Sequence, residues 1–265
     1  QESYNVYGGL QDNGVWVGPN NFEQNVAWHQ EGKYPYQELM GGDGMQIQID
    51  KRDSNIVYTG FQFGNYFRIN RETNESKSIT PKLPKNSKEE AFRFNWQTPI
   101  LLSSHNQDIL YLGSNFLHRS MDKGETWEKI TSGINPMHFT RAIVASPRKA
   151  GVLFAGTEYG LYVSMNDGKS WEQLQLNLPV TPITDLLIRD NNLIVGTQGR
   201  SIYILDDLSF IENYQATNVN ASKVFAVANT YRVPPQMGGR RNRGARTGMP
   251  ANVGVNPPKG AVINY

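Results

Sequence analysis

The apolar residues of this chain come in short runs that alternate with polar ones, as in "RAIVASP" from Arg141, "GVLFAGTE" from Gly151 and "GLYVSMN" from Gly160. Period-two runs bounded by Gly, Asn and Asp predict half-buried strands joined by tight turns. No stretch sustains the i, i+3, i+4, i+7 spacing of an amphipathic helix, so the pattern predicts an all-β protein.

The runs also repeat. Stacking "VYGGLQDNGVWVG" from Val6, "VYTGFQFGNYFRIN" from Val57, "LYLGSNFLHRSMD" from Leu110, "LFAGTEYGLYVSMND" from Leu153 and "LIVGTQGRSIYILDD" from Leu193 aligns an apolar pair, a glycine and a second strand. That is a β-hairpin written five times. Gly60, Gly113, Gly156 and Gly196 lie 53, 43 and 40 residues apart, near the roughly 40 to 50 residues of a four-stranded propeller blade. In the clearest unit "RAIVASP" predicts the innermost strand, "GVLFAGTE" the second, "GLYVSMN" the third and "KSWEQLQ" the outermost. The same parse fits the units that open with "MQIQID", "PILLSS" and "TDLLIRD", the last with a weaker fourth strand. The first unit lacks its innermost strand. The fold predicted is a β-propeller of four-stranded blades, four complete and one partial, since such sheets cover each other's faces and leave only short edges.

One phrase occurs twice between a third and a fourth strand: "SMDKGETW", Ser120 to Trp127, and "SMNDGKSW", Ser164 to Trp171. Gly124 and Gly168 supply permissive backbone, Asp122 or Asn166 can cap the turn through its side chain, and Trp127 or Trp171 folds back as apolar cover. With Ser120, Thr126, Ser164 and Ser170, these residues are read as a structural stitch.

Composition narrows the chemistry. Lys and Arg total 26 against 24 for Asp and Glu, so no global field selects nucleic acid or an anionic membrane as partner. Cysteine is absent, which removes thiolate nucleophiles, Cys-ligated zinc and disulfides. No run approaches the roughly 20 apolar residues that a helical membrane span needs, so no direct membrane insertion is expected. His29, His105, His118 and His138 fall in separate units without metal-ligand spacing, and no metal or cofactor is expected. Arg240, Arg241, Arg243 and Arg246 lack interleaved aromatics and are read as a solvated run, not an RNA-binding tail. A P-loop and a G-x-S-x-G elbow are both missing.

The two turns resemble the Asp-box of the bacterial neuraminidase repeat, "S-x-D-x-G-x-T-W", which marks the hairpin between the outer strands of a blade. The first copy matches in full, and the second carries Asn166 at the aspartate position. The stretches "VYGGLQDNGVWVGP", "GGDG", "FNWQTPILLSSHNQDILYLGSNFLHRSMDKGETW" and "VGTQGRSIYILDD" are together similar to the second half of the large sortilin-like, neuraminidase-repeat propellers of bacterial envelopes, especially those of the Bacteroidetes. The similarity covers about residues 3 to 232. It implies blades over 1–232, a Gly/Arg/Pro-rich linker over 233–258 and the first strand of a β-sandwich over 259–265. It also implies a secreted, periplasmic or outer-membrane surface location.

In a propeller the loops from second to third strand, and from outermost strand to the next innermost one, share a rim. That rim is expected to collect "QDNG" from Gln11, "GGDG" from Gly41, "FQFGN" from Phe61, "KEEAFRFNWQ" from Lys88, "NPMHFTR" from Asn135, "TEYG" from Thr157 and "TQGR" from Thr197. The stitch turns belong to the opposite rim. Asp12 and Asp43 are candidate catalytic carboxylates, because glycoside hydrolysis needs one protonated and one ionised acid. The alternative is that both serve turns. Asn13, Phe63, Arg93, Trp96, His138, Arg141, Tyr159 and Arg200 are candidate binding residues of the same rim. Trp96, with Phe92, Arg93 and Phe94, can stack on a sugar ring or a peptide side chain, or else plug the central channel. Sialidase chemistry would need Arg93, Arg141 and Arg200 to converge near Tyr159 and Glu158.

The function expected is a non-catalytic secreted or surface module that binds a protein or a glycan across this rim. A xyloglucanase-like hydrolase and a structural subunit of a larger surface complex are the alternatives. The chain itself is expected to be a piece of a longer protein, with the rival account that Lys223 to Asn229 closes a five-bladed ring. Intact mass of the native polypeptide, with sequencing past Tyr265, should reveal additional residues. A native chain ending at Tyr265 favours the closed ring.

Overall fold

The computed structural model describes residues 3–214, 224 and 225. Two compact units divide the chain, Gln1–Asp206 and Asp207–Tyr265. The first holds five antiparallel sheets. The first sheet is β1 (Asn5–Leu10), β2 (Gly14–Pro19) and β3 (Gln37–Met40), and the second is β4 (Gln48–Ile49), β5 (Ile56–Phe61), β6 (Asn65–Asn70) and β7 (Glu75–Ser78). The third contains β8 (Ile100–Leu102), β9 (Leu110–Gly113), β10 (Leu117–Ser120) and β11 (Glu128–Lys129). The fourth contains β12 (Thr140–Ala145), β13 (Leu153–Thr157), β14 (Gly160–Ser164) and β15 (Glu172–Gln173), and the fifth β16 (Ile183–Arg189), β17 (Asn192–Thr197) and β18 (Ile202–Leu205). In every sheet the strands hydrogen-bond in chain order, which is the up-and-down meander of a propeller blade.

Two features depart from the sequence reading. Helix α1 (Val26–Glu31) interrupts the connection from β2 to β3. Its six residues are too few for a 3.6-residue pattern to register, and it is set by its ends: Asn25 accepts the Trp28 N–H, and Gly32 closes it at φ 64°. The fifth sheet has three strands among the described residues, so three sheets, not four, have the full complement. In the second unit the described residues include α2 (Ser209–Glu212). The expected linker 233–258 and strand 259–265 lie outside the described residues, as does 223–229 apart from Val224 and Phe225.

The core lies between sheets. On β9, Leu110 and Leu112 join Tyr58, Tyr66, Ile79 and Ile100 on the side of the second sheet. Tyr111 between them joins Ile130, Ile143, Leu153 and Tyr162 on the side of the fourth. A period-two strand buried on both faces produces this division directly. A Cβ on Gly156 would sit 2.5 Å from Ile183 of the next inner strand, so the repeated glycine permits that approach. Among the described residues the end sheets carry exposed apolar side chains, Val6 and Leu10 on the first sheet and Leu187, Ile202 and Ile204 on the fifth. The five sheets are therefore part of a propeller whose terminal faces call for cover.

The two stitch turns have matching hydrogen bonds. Ser120 Oγ donates to Asp122 Oδ1 at 2.7 Å and accepts the Gly124 N–H at 2.8 Å, while Asp122 accepts the Thr126 N–H at 2.8 Å and the Thr126 hydroxyl at 2.6 Å. In the second turn Ser164, Asn166, Gly168 and Ser170 repeat this pattern, the Asn166 amide donating to Ser170 Oγ at 2.7 Å. Each turn leans on the preceding sheet. Gly124, at φ 88°, has no room for a Cβ beside Ile79, and Trp171 donates its indole N–H to the Ile130 carbonyl at 2.6 Å.

Burial tends to raise the Asp122 pKa, but the Thr126 and Ser120 hydrogen bonds to its charged form outweigh burial and hold it at about 2. A depressed folded-state pKa confers stability that is complete above the unfolded value, near 3.8, and is lost as pH falls towards 2. Asp122→Asn should keep the turn, as Asn166 does, and remove this acid-sensitive step. Asp122→Ala should cost about 1 to 3 kcal/mol. Denaturant midpoints of the three proteins above pH 5 and near pH 2 test both statements.

Candidate functional site

Meandering strands put the β1–β2, β5–β6, β9–β10, β13–β14 and β17–β18 turns at the same end of their sheets as the connections that lead into β4, β8, β12 and β16. At this end the strands leave a cavity of about 480 Å³ lined by Gly9, Gly44, Gln46, Gln97, Arg141 and Asp185, among others. These residues come from all five sheets or from the connections between them, so the cavity lies where the inner edges converge. Gln46 and Gln48, in line on the inner edge of the second sheet, accept the Ile100 and Leu102 N–H groups at 3.2 Å. Gln97 closes the "KEEAFRFNWQ" stretch that the sequence assigns to this rim, whereas Asp185 carried no signal, because nothing local marks the mouth of an inner strand.

The predicted residues form separate groups around this end. Asp43, 5% exposed, accepts the Asp12 N–H at 2.7 Å through its carboxylate, and its own N–H donates to the Gln62 side chain at 3.1 Å. Asp12 itself is exposed at φ 62°, and the neighbouring Asn13 side chain turns back to the Gln11 carbonyl at 3.2 Å. Backbone bonds from Gly14 to Gly42 and from Gly44 to Leu10 lock the two loops together. The arrangement employs Asp43 as the fastener of the first sheet's rim loops.

Phe63 and Trp96 form an edge-to-face pair with ring centroids 5.2 Å apart, and the Phe63 N–H donates to the Trp96 carbonyl. Both rings are partly open to solvent, 52% and 42% exposed. A second pair, His138 stacked on Tyr159 at 4.8 Å, is held by the Tyr162 hydroxyl 2.8 Å from His138 Nδ1. Arg141 of the cavity wall pairs with Glu158 at 2.9 Å. Arg93 instead meets Glu90 at 3.5 Å, its N–H donates to Asn115 Oδ1 at 2.9 Å and its carbonyl accepts the Asn115 N–H at 2.8 Å, and Arg200 is exposed on the last described hairpin. No contact joins Arg93, Arg141 and Arg200 among the described residues. His118 is buried beside Phe92, and burial pulls its pKa down to about 4, which keeps the ring neutral against Ser114 Oγ. Among the described residues no group of three His, Asp or Glu side chains has the arrangement of a metal site.

Asp43→Ala leaves the Asp12 N–H without its acceptor and should cost roughly 1 to 3 kcal/mol, whereas Asp43→Asn, which retains an acceptor oxygen, should cost less. Asp12→Asn should leave stability nearly unchanged. Urea unfolding of the three variants separates a loop fastener from a dispensable rim acid.

No protein-family model matches the chain. No curated protein matches it in sequence. Its fold does match solved structures. The extracellular domain of a one-component system from B. thetaiotaomicron superposes with a TM-score of 0.51 at 17% identity, over 76% of this chain and 26% of that one. The extracellular domain of a hybrid two-component system of the same organism matches with a TM-score of 0.51 at 17% identity, over 76% and 25%. The GH74 xyloglucanase of Xanthomonas campestris matches with a TM-score of 0.51 at 15% identity, over 77% of this chain and 34% of that one. The chain thus spans between a quarter and about a third of the length of these proteins. At such identities the likeness is one of fold, and the fold shared is the β-propeller.

Proposed function

We propose that the chain is part of a secreted or surface-displayed bacterial propeller that binds a glycan at the axial cavity and its aromatic flanks without cleaving it. The observation that carries this reading is the pairing of partly exposed aromatic rings, Phe63 with Trp96 and His138 with Tyr159, around a polar cavity lined by Gln46, Gln97, Arg141 and Asp185. Flat apolar faces beside directed hydrogen-bonding groups suit the alternating apolar and hydroxylated surfaces of a sugar chain. The Asp43 carboxylate holds the Asp12 N–H and so fixes the loop that carries Asp12, which favours a structural role for Asp43 over a hydrolytic one. The similarity to sortilin-like envelope propellers and the extracellular neighbours support the surface location. The xyloglucanase neighbour keeps hydrolysis as the second reading.

A panel of soluble polysaccharides offered to the whole protein tests the proposal. Binding by at least one polysaccharide, weakened about tenfold by Trp96→Ala, is the expected result, tenfold being about 1.4 kcal/mol and within the range of an aromatic contact. No release of reducing ends should accompany it. Release by the wild type that Asp12→Asn abolishes would establish the hydrolase instead. Absence of any glycan binding, together with a stoichiometric protein partner on mild extraction, would overturn the glycan reading in favour of a protein ligand or a structural subunit.

A further inference from the structure

The two stitch turns share Ser, Met, Gly and Trp at matching positions, and of the four that differ one changes what the seam can bind. In "SMNDGKSW" the residue before the glycine is Asp167, at φ 61°. Its carboxylate accepts the Tyr111 hydroxyl at 2.8 Å and pairs with Arg119, while its N–H donates to the Gly151 carbonyl at 2.8 Å. Tyr111 and Arg119 are cross-strand partners in the preceding sheet. A carboxylate, a phenol and a guanidinium thus join the third sheet to the fourth.

One sheet earlier every part of this clasp recurs except the carboxylate. Tyr58 and Arg68 are cross-strand partners in the second sheet, and the turn residue at φ 61° is Lys123, whose N–H donates to the Asp108 carbonyl at 2.9 Å. Tyr58 is 0% exposed, and its hydroxyl has no hydrogen-bond partner. The indole N–H of Trp127 is also buried without a partner, where that of Trp171 reaches Ile130. Both unmet groups are donors. A buried donor without an acceptor is unfavourable, so the seam is short of an acceptor.

A cavity of about 780 Å³ opens beside this seam, on the rim opposite the aromatic pairs; Arg68, the cross-strand partner of Tyr58, lines it with Lys77, Lys123, Asp50 and Glu75, while the Tyr58 hydroxyl lies buried behind that lining. The acids nearby are already answered. Asp50 and Asp108 share Arg52, at 2.8 Å each, and Glu125 takes Arg68 and Lys77. Glu75 is exposed at the margin. Lys123 Nζ comes no nearer to a carboxylate than 3.7 Å, from Asp108.

We propose that this seam is an oxyanion site, in which a carboxylate or phosphate takes the place that the Asp167 carboxylate takes one sheet further on, held by Arg68, Lys123 and the Tyr58 hydroxyl. Burial pushes the Tyr58 pKa up to about 12, so the hydroxyl remains a donor across the physiological range. The site is independent of the glycan reading, because it lies on the other rim and uses none of the same residues.

Thermal unfolding of the whole protein in acetate, inorganic phosphate and chloride at matched ionic strength tests it. A saturable rise in the midpoint with acetate, phosphate or both, and none with chloride, is expected; whichever of the two acts identifies the chemistry. Salting effects of phosphate also stabilise proteins but do not saturate and are insensitive to single substitutions. Lys123→Asp supplies the carboxylate from the chain, so it should raise the midpoint in chloride and abolish the response to added anion. Tyr58→Phe removes the unmet hydroxyl and should weaken the response several-fold while the protein stays folded. Identical midpoints in the three salts, or a response unchanged in Tyr58→Phe, would overturn the proposal even if Lys123→Asp failed to fold.

Discussion

The central sheets of this molecule are apolar on both faces, and the neighbouring sheets cover them. Leu110 and Leu112 on one side of β9 and Tyr111 on the other make the third sheet useless alone and stable between two neighbours. Burial of such surface contributes about 25 cal/mol for each Å² removed from water, so the seams, not the strands, carry the stability. Everything else follows from this dependence. Glycines such as Gly156 thin the sheet where the next one approaches, Gln46 and Gln48 satisfy the inner edge of a neighbour, and the stitch turns reach back across the outer edge.

The same constraint separates the two rims. Stitch turns use their polar side chains on themselves and on the preceding sheet: Asp122 is spent on Ser120 and Thr126, and Asp167 on Tyr111 and Arg119. The opposite rim is less fully committed, and there aromatic rings stand partly in solvent beside a polar cavity. Function is therefore sought where side chains are left over after packing. Asp43 illustrates the distinction: on the rim expected to hold chemistry, it turns out to be buried and engaged in fixing the loop that carries Asp12.

Much of the fold was legible in the chain. Period-two runs, the recurring glycines and the doubled stitch located the sheets, their strand order and the assignment of loops to rims, because a strand's alternation and a turn's need for positive φ are local properties. Helix α1 was not legible, since six residues carry no period and only its caps hold it. The Arg93, Arg141 and Arg200 set was a grouping by residue type, and the structure gives each a different environment, the first two with separate acids.

What the sequence by itself determined, then, is the repeat: where each strand runs and where each hairpin turns, consequences of backbone geometry within a few residues. What tertiary structure alone decided is which side chains meet across seams. "SMDKGETW" and "SMNDGKSW" read as equivalent, and the Lys123 and Asp167 difference looks like surface variation. Only the packing of sheet on sheet brings that position against Tyr58 or Tyr111, and there a single charge decides whether a buried hydroxyl has a partner, because the acceptor must come from a chain segment more than 50 residues away.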